Sequence, residues 1–279
     1  MDTGHADATM SSMNPAYDPV IASTPVARSP VPFPFELQRF SDHEAMSQQA
    51  AELIATEIRQ RPDLLLGLAT GSSPARTYEL LADRRRGEPV LFDRLRIFKL
   101  DEWGGLAMDD PASCELYLQT KLVLPLNVSP DRYFAWESQP KDPAAECQRV
   151  ARWLAEAGPV GLCVIGVGMN GHLALNEPAP TLQAGPHIAH LAEDSRQHPM
   201  LQEARGVARF GLTVGMADIL HSRRILLLVS GPLKAAPLKR LLEPGIATDF
   251  PASLLWLHPA VTILCDEAAA RLIPDRFQP

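Results

Sequence analysis

Four stretches of this chain are almost unbroken runs of large apolar residues: 64–69, 161–167, 225–230 and 261–265. A strand covered on only one face alternates apolar with polar side chains, so unbroken runs mark strands buried on both faces. Two further strands are expected at 35–40 and 95–100. Amphipathic helical segments separate the runs: from a cap at Ser41 and Asp42 to about residue 60, from Ser73-Pro74 to about 86, then 113–122, 142–157 and 233–242. Strand and helix in alternation predict an α/β protein, a doubly wound, mostly parallel Rossmann-like sheet with helices on both faces.

Length and composition narrow the classes. At 279 residues, the chain can bury a large single core. Residues 1–34 carry five prolines between Pro19 and Pro34 and show no apolar period; they read as a disordered tail, leaving 35–279 as one domain. No apolar run approaches the roughly 20 residues that span a bilayer, and the N-terminus lacks the features of a secretion signal. The four cysteines are dispersed without metal-like spacing, which predicts reduced thiols in a cytoplasmic protein. A formal net charge of −7 argues against nucleic-acid binding while allowing a local anion site. Nothing in the composition decides for or against a homo-oligomer.

Chemistry concentrates where the predicted strands end. Ala69-Thr70-Gly71-Ser72-Ser73-Pro74 places a glycine and small hydroxyl residues between a strand and a helix, either as an anion site or as a plain helix cap. Phe98-Lys99-Leu100-Asp101-Glu102-Trp103 offers a candidate base, Asp101, though two adjacent acids at a strand exit are also what a solvated pair looks like. Gly166-Val-Gly-Met-Asn-Gly-His-Leu-Ala-Leu-Asn-Glu-Pro178 spells GxGxxG, yet Pro178 and Pro180 leave no room for the helix that a dinucleotide fingerprint needs. Its polar members are Asn170, His172 and Glu177. Ser230-Gly-Pro-Leu-Lys234 repeats the strand, glycine turn and helix start, with Lys234 set to reach a phosphate or to lie exposed. There is no GxSxG elbow for a serine hydrolase and no HExxH for a metal.

In this order, Leu-Ala-Thr-Gly-Ser-Ser-Pro, Lys-Leu-Asp-Glu-Trp, Gly-Val-Gly-Met-Asn-Gly-His-Leu-Ala-Leu-Asn-Glu-Pro and Ser-Gly-Pro-Leu-Lys resemble the amino-sugar-phosphate deaminases. The resemblance runs from about residue 35 to about 270 and is strongest to the galactosamine-6-phosphate deaminase/isomerases. It implies a Rossmann-like enzyme that needs no cofactor and no metal, and whose partner is a small amino-sugar phosphate. By the same resemblance, Thr70, Gly71, Ser72, Ser73 and Lys234 would hold the phosphate. Asp101 would move the C2 proton to C1, and His172, with Glu177 and Asn170, would assist ring opening. The product would be tagatose 6-phosphate plus ammonia from galactosamine 6-phosphate, or fructose 6-phosphate from glucosamine 6-phosphate.

Two departures from the glucosamine enzymes stand out. Where they carry Asp, this chain has Asn170, as galactosamine-type relatives do; Asn cannot carry charge but can still orient a histidine by hydrogen bonding. Where they place a phosphate-gripping arginine, this chain has Leu201, with Arg196, Arg205 or Arg209 as substitutes. Basic residues that serve an allosteric effector there are replaced by His187 and Ala189, so activation by an N-acetylated sugar phosphate is not expected. The rivals are 6-phosphogluconolactonase, which shares the fold, and a sugar-phosphate sensor without turnover.

Overall fold

The computed structural model describes Met1 and residues 33–273. The expected tail, apart from Met1, Phe33 and Pro34, lies outside the described residues.

In chain order, the elements are β1 (Phe35–Phe40), α1 (His43–Gln60), β2 (Leu65–Leu68), α2 (Ser72–Arg85), β3 (Arg96–Lys99), β4 (Asp101–Gly104), α3 (Cys114–Leu118), β5 (Tyr133–Phe134), α4 (Pro143–Ala157) and β6 (Leu162–Ile165). They continue with β7 (His187–Ala189), α5 (Glu193–Arg196), β8 (Phe210–Thr213), α6 (Met216–Leu220), β9 (Ile225–Val229), α7 (Ala235–Leu242), β10 (Val261–Asp266) and α8 (Glu267–Ala270). Seven strands form one sheet in the order β1-β10-β9-β6-β2-β3-β5, and every pairing in it is parallel.

The apolar runs are explained by what each face meets. In β9, Leu226 and Leu228 belong to a core that includes Met46 and Ile54 of α1 and Tyr78 and Leu81 of α2. Leu227 and Val229 point to the other face, into a core with Val150 of α4 and Leu238 and Leu241 of α7. Successive side chains alternate between two buried faces, so no polar residue can be placed anywhere along the run. Helix entry follows the capping chemistry: the Asp42 carboxylate accepts from Ala45 N at 2.8 Å to start α1.

One feature goes beyond the expected doubly wound sheet. β4, β8 and β7 make a separate antiparallel sheet, with Asp101 opposite Thr213 and Thr213 opposite His187. Leu100 joins the two sheets. Its N–H donates to Leu68 O in the parallel sheet at 3.1 Å, while its carbonyl accepts from Val214 N at 3.1 Å beside the small one. The chain therefore passes from the main sheet to the small one at the residue before Asp101.

Winding reverses next to β2. After β2 the chain adds β3 and β5 on one side, then crosses to place β6 on the other side, followed by β9 and β10. In open α/β sheets the crevice at such a reversal, beyond the carboxyl ends of the strands, is where ligands bind. The loops after β2 and after β6 leave from that crevice.

Candidate active site

The loop after β2 is built to present donors. Gly71 is the N-cap of α2 at φ +106, a backbone conformation that disfavours any side chain, and no side chain caps the helix. The carbonyls around it are drawn into the body of the protein. Tyr78 Oη donates to Ala69 O at 2.7 Å and Tyr117 Oη to Gly71 O at 2.6 Å, while His43 Nε2 contacts Ser73 O at 3.0 Å. The first N–H groups of α2, which have no partner inside the helix, are left for an anion, and the first turn carries no acid to repel one. A plain Ser/Thr cap is thereby ruled out. Ser72 is exposed and Ser73 buried, and Thr70 Oγ1 donates to Cys114 Sγ at 3.3 Å.

Lys234 is not a surface lysine. It ends the turn Pro232–Lys234 after β9, is half-buried, and donates from Nζ to Val167 O just beyond β6 at 2.7 Å. Burial holds its ammonium below the usual lysine range.

Asp101 and Glu102 are both buried, so they are not a solvated pair. They face opposite ways along β4 and have different fates. Glu102 accepts from Lys99 Nζ at 2.6 Å, from Trp103 N at 2.8 Å, and from the Cys114 and Glu115 N–H groups at the start of α3, each at 2.9 Å. Asp101 Oδ1 is buried with no hydrogen-bond partner among the described residues. Burial pushes the Asp101 carboxyl up to about 7, with neighbouring Glu102 adding to the rise and Lys99 opposing it. The residue before it, Leu100, is hydrogen-bonded to Leu68 at the end of β2, which sets Asp101 beside the carboxyl end of that strand.

After β6 the chain enters no helix until Glu193, so the glycines are not a dinucleotide fingerprint. Gly168 has another purpose: a Cβ there would lie 2.4 Å from the His172 ring. The imidazole is seated against bare backbone. His172 Nδ1 lies 3.4 Å from Glu177 Oε2, too loose for a good hydrogen bond but close enough to favour a proton on Nδ1 and leave Nε2 basic. Among the described residues, no hydrogen bond joins the Asn170 side chain to the ring. Its amide nitrogen donates to Glu177 Oε2 at 2.8 Å and its oxygen accepts the His172 backbone N–H at 3.1 Å, so it fixes the carboxylate and the turn instead. Burial would raise the Glu177 carboxyl, but contacts with His172, Ser195 and Asn170 outweigh it and hold the group low.

Two residues near the site, Ser195 and His198, carried no sequence signal, and a third, Trp103, stood in the Lys-Leu-Asp-Glu-Trp motif without an assigned part. Ser195, buried in α5, donates to Glu177 Oε1. Trp103, two residues after Asp101, is buried with an indole N–H that has no partner among the described residues. His198 packs on it with ring centroids 5.7 Å apart. The arginines considered for the phosphate, Arg196, Arg205 and Arg209, are exposed, and Leu201 packs against the small apolar cluster around Trp103. His187 Nδ1 turns back onto Gly185 O at 3.0 Å, and Ala189 is buried. Among the described residues, no three His, Cys, Asp or Glu are arranged to hold a metal. A surface cavity of about 800 Å³ beside α2 is lined by Arg85, Arg86 and Lys121 but by none of these site residues; its cations are paired with Asp93, Asp83 and Glu79.

Residues 41–264 match the family described as glucosamine-6-phosphate isomerases/6-phosphogluconolactonase. The chain is 39% identical over 222 residues to AgaI of Escherichia coli strain K12, a protein that carries a deaminase name; the match covers 80% of this chain and 88% of that one. It is 38% identical over 234 residues to glucosamine-6-phosphate deaminase 1 of Bacillus subtilis strain 168, covering 83% and 97%. A solved monomeric glucosamine-6-phosphate deaminase superposes with a TM-score of 0.80 at 37% identity, covering 85% of this chain and 99% of that one. A Trypanosoma brucei 6-phosphogluconolactonase, at 20% identity and a TM-score of 0.67, shares the fold alone. No helix among the described residues is long and apolar enough to cross a membrane. The chain belongs to the glucosamine-6-phosphate isomerase/6-phosphogluconolactonase family and is an enzyme of its amino-sugar-phosphate deaminase branch.

Proposed function

We propose that this enzyme isomerises and deaminates a 2-amino-2-deoxyhexose 6-phosphate in the cytoplasm. The observation that carries the reading is Asp101: a buried carboxyl whose Oδ1 has no hydrogen-bond partner among the described residues, pushed up to about 7. A C–H beside an aldehyde is a weak acid, and a base whose pKa lies near the working pH removes it most effectively. The phosphate rests on the α2 N-terminus at Thr70 to Ser73, with Lys234 as its counter-charge. His172 Nε2 takes the proton of the C1 hydroxyl and returns it to the ring oxygen as the C1–O5 bond breaks, and Glu177, fixed by Asn170 and Ser195, supports the imidazolium that forms in between. Asp101 removes the C2 proton and delivers it to C1, converting the aldose amine through an enolamine to a ketose imine. Water adds to that imine and ammonia leaves.

Asn170 supports galactosamine 6-phosphate as substrate and tagatose 6-phosphate as product. The names of relatives at 38% and 36% identity support glucosamine 6-phosphate, giving fructose 6-phosphate, and this is the substrate we place first. The loss of basic character at His187 and Ala189 supports an enzyme without activation by N-acetylated sugar phosphates. Ammonia release from the two amino-sugar phosphates, measured side by side, tests the reading. Release from neither, or hydrolysis of 6-phosphogluconolactone in its place, would overturn it.

A further inference from the structure

We propose that His198 contacts the substrate and reads its C4 hydroxyl, setting the preference between the gluco and galacto epimers. The inference rests on the deaminase reading above.

His198 is held at the site from three directions. Three residues earlier, Ser195 is bonded to Glu177, which ties this segment to the His172 turn. On its other flank the ring packs against Trp103, and Trp103 lies on the same face of β4 as Asp101, about 7 Å along the strand. Pro199 follows, restricting the backbone of His198 to the extended region it occupies at φ −57, ψ 135. The imidazole is thus placed by the base strand and the ring-opening turn together.

Its hydrogen-bonding character is also set. Nδ1 accepts the backbone N–H of Met200 at 3.3 Å, so a neutral ring carries its proton on Nε2. Burial, with His172 and Lys234 as charged neighbours, pushes the imidazole down to about 4. The side chain is therefore one neutral, directional donor, unlike the charged Lys234.

Where that donor points in the substrate follows from its neighbours. In the proposed substrate C1 and C2 react at one end, at His172 and Asp101, and the phosphate on C6 sits at the other, at Lys234. A side chain that packs on Trp103, two residues beyond the base on the same face of β4, and is tied through Ser195 to the His172 turn lies alongside the carbons beyond C2. The epimers differ there only in the C4 hydroxyl. A site built to hydrogen-bond a hydroxyl discriminates against a substrate that cannot offer it, because the donor is then left unpaired beneath the bound sugar.

The test is the ratio of kcat/KM for glucosamine 6-phosphate to kcat/KM for galactosamine 6-phosphate, read by ammonia release. In His198→Asn the new side chain still accepts from Met200 N but has no donor at the Nε2 position. The ratio is expected to move by about tenfold, through loss on the preferred sugar. His198→Phe keeps a ring on Trp103 and provides the same reading if the asparagine variant does not fold. An unmoved ratio in an active variant overturns the proposal. Equal loss on both sugars, with weaker competition by inorganic phosphate, also overturns it and moves His198 to the phosphate. Wild-type enzyme that releases ammonia from neither sugar overturns the deaminase reading and this inference together.

Discussion

Consecutive residues on β4 open onto two buried polar regions with opposite character. On the side of Glu102, Lys99 Nζ is bonded to Glu102 and, at 2.8 Å, to Glu115, which also accepts from Tyr133 Oη at 2.8 Å and Gln119 Nε2 at 2.8 Å. Every charge there is paired. On the side of Asp101, the carboxylate Oδ1 and the Trp103 N–H are buried without hydrogen-bond partners among the described residues. A buried polar group left unpaired costs about 1–3 kcal/mol, and more when charged. The satisfied region fixes α3 against the strand ends and so holds Asp101 in place. The unsatisfied one carries a standing penalty that a polar substrate would relieve.

The sharpest way to break this contrast is Asp101→Asn. Loss of the base is expected to lower kcat by about 10³–10⁴-fold with little change in KM, since the proton transfer belongs to the transition state. Stability should move the other way. The folded pKa of about 7 exceeds the ordinary 3.8, so the group costs nothing below about pH 4. The cost grows as pH rises from about 4 to about 7, because the unfolded chain releases the proton first, and stays constant above that. The variant should therefore melt higher than wild type at pH 8 and at the same temperature near pH 4. Wild-type kcat should correspondingly rise with pH through about 7. Wild-type turnover in the variant, or a variant less stable at pH 8, would remove Asp101 from this role.

Glu102→Ala tests the paired side. It leaves Lys99 buried with half its compensation and removes the acceptor for two α3 N–H groups, at a cost of about 3–5 kcal/mol. A large fall in melting temperature is expected, with kcat per folded molecule at low temperature reduced far less than in Asp101→Asn. Equal damage to kcat from both variants would mean that the two carboxylates act as one catalytic unit and that the contrast is false.

How much of this was legible in the sequence depends on the length of the signal. Strands β2, β6, β9 and β10 announced themselves because burial on both faces forces a run of Leu, Ile and Val. The small antiparallel sheet did not: β7 has three residues and β8 contains Gly211, whose missing side chain makes way for Leu175 and Ala189. The strand-end motifs at 70–73, 101, 166–178 and 234 were readable because glycines and charges interrupt apolar runs at those points. The different fates of Asp101 and Glu102 were not, since they depend on α3 arriving with free N–H groups on one side only. The sequence allows Asn170 to orient the histidine by hydrogen bonding; that its partners are Glu177 and the His172 backbone N–H is a detail that only the fold of the turn supplies. Ser195 and His198 lie in a segment without periodicity, brought to the site by tertiary contacts alone.

Ser195→Ala is the mildest probe and refines the comparison. Ser195 is buried, and its hydroxyl is one of three contacts that hold the Glu177 carboxyl low against burial. Its removal should raise that pKa and weaken support for the imidazolium at His172. Hydrogen bonds to charged groups contribute about 1.5–3 kcal/mol, but Asn170 still donates to the carboxylate, so a loss of about five- to tenfold in kcat is expected. The loss should be steepest at low pH, where the raised Glu177 begins to protonate, and should shrink towards pH 8. A uniform loss at every pH would indicate a packing defect rather than a weakened carboxylate. No loss at all would mean that the contact between α5 and the turn after β6 serves only to position His198, which the epimer ratio of the same variant would then reveal.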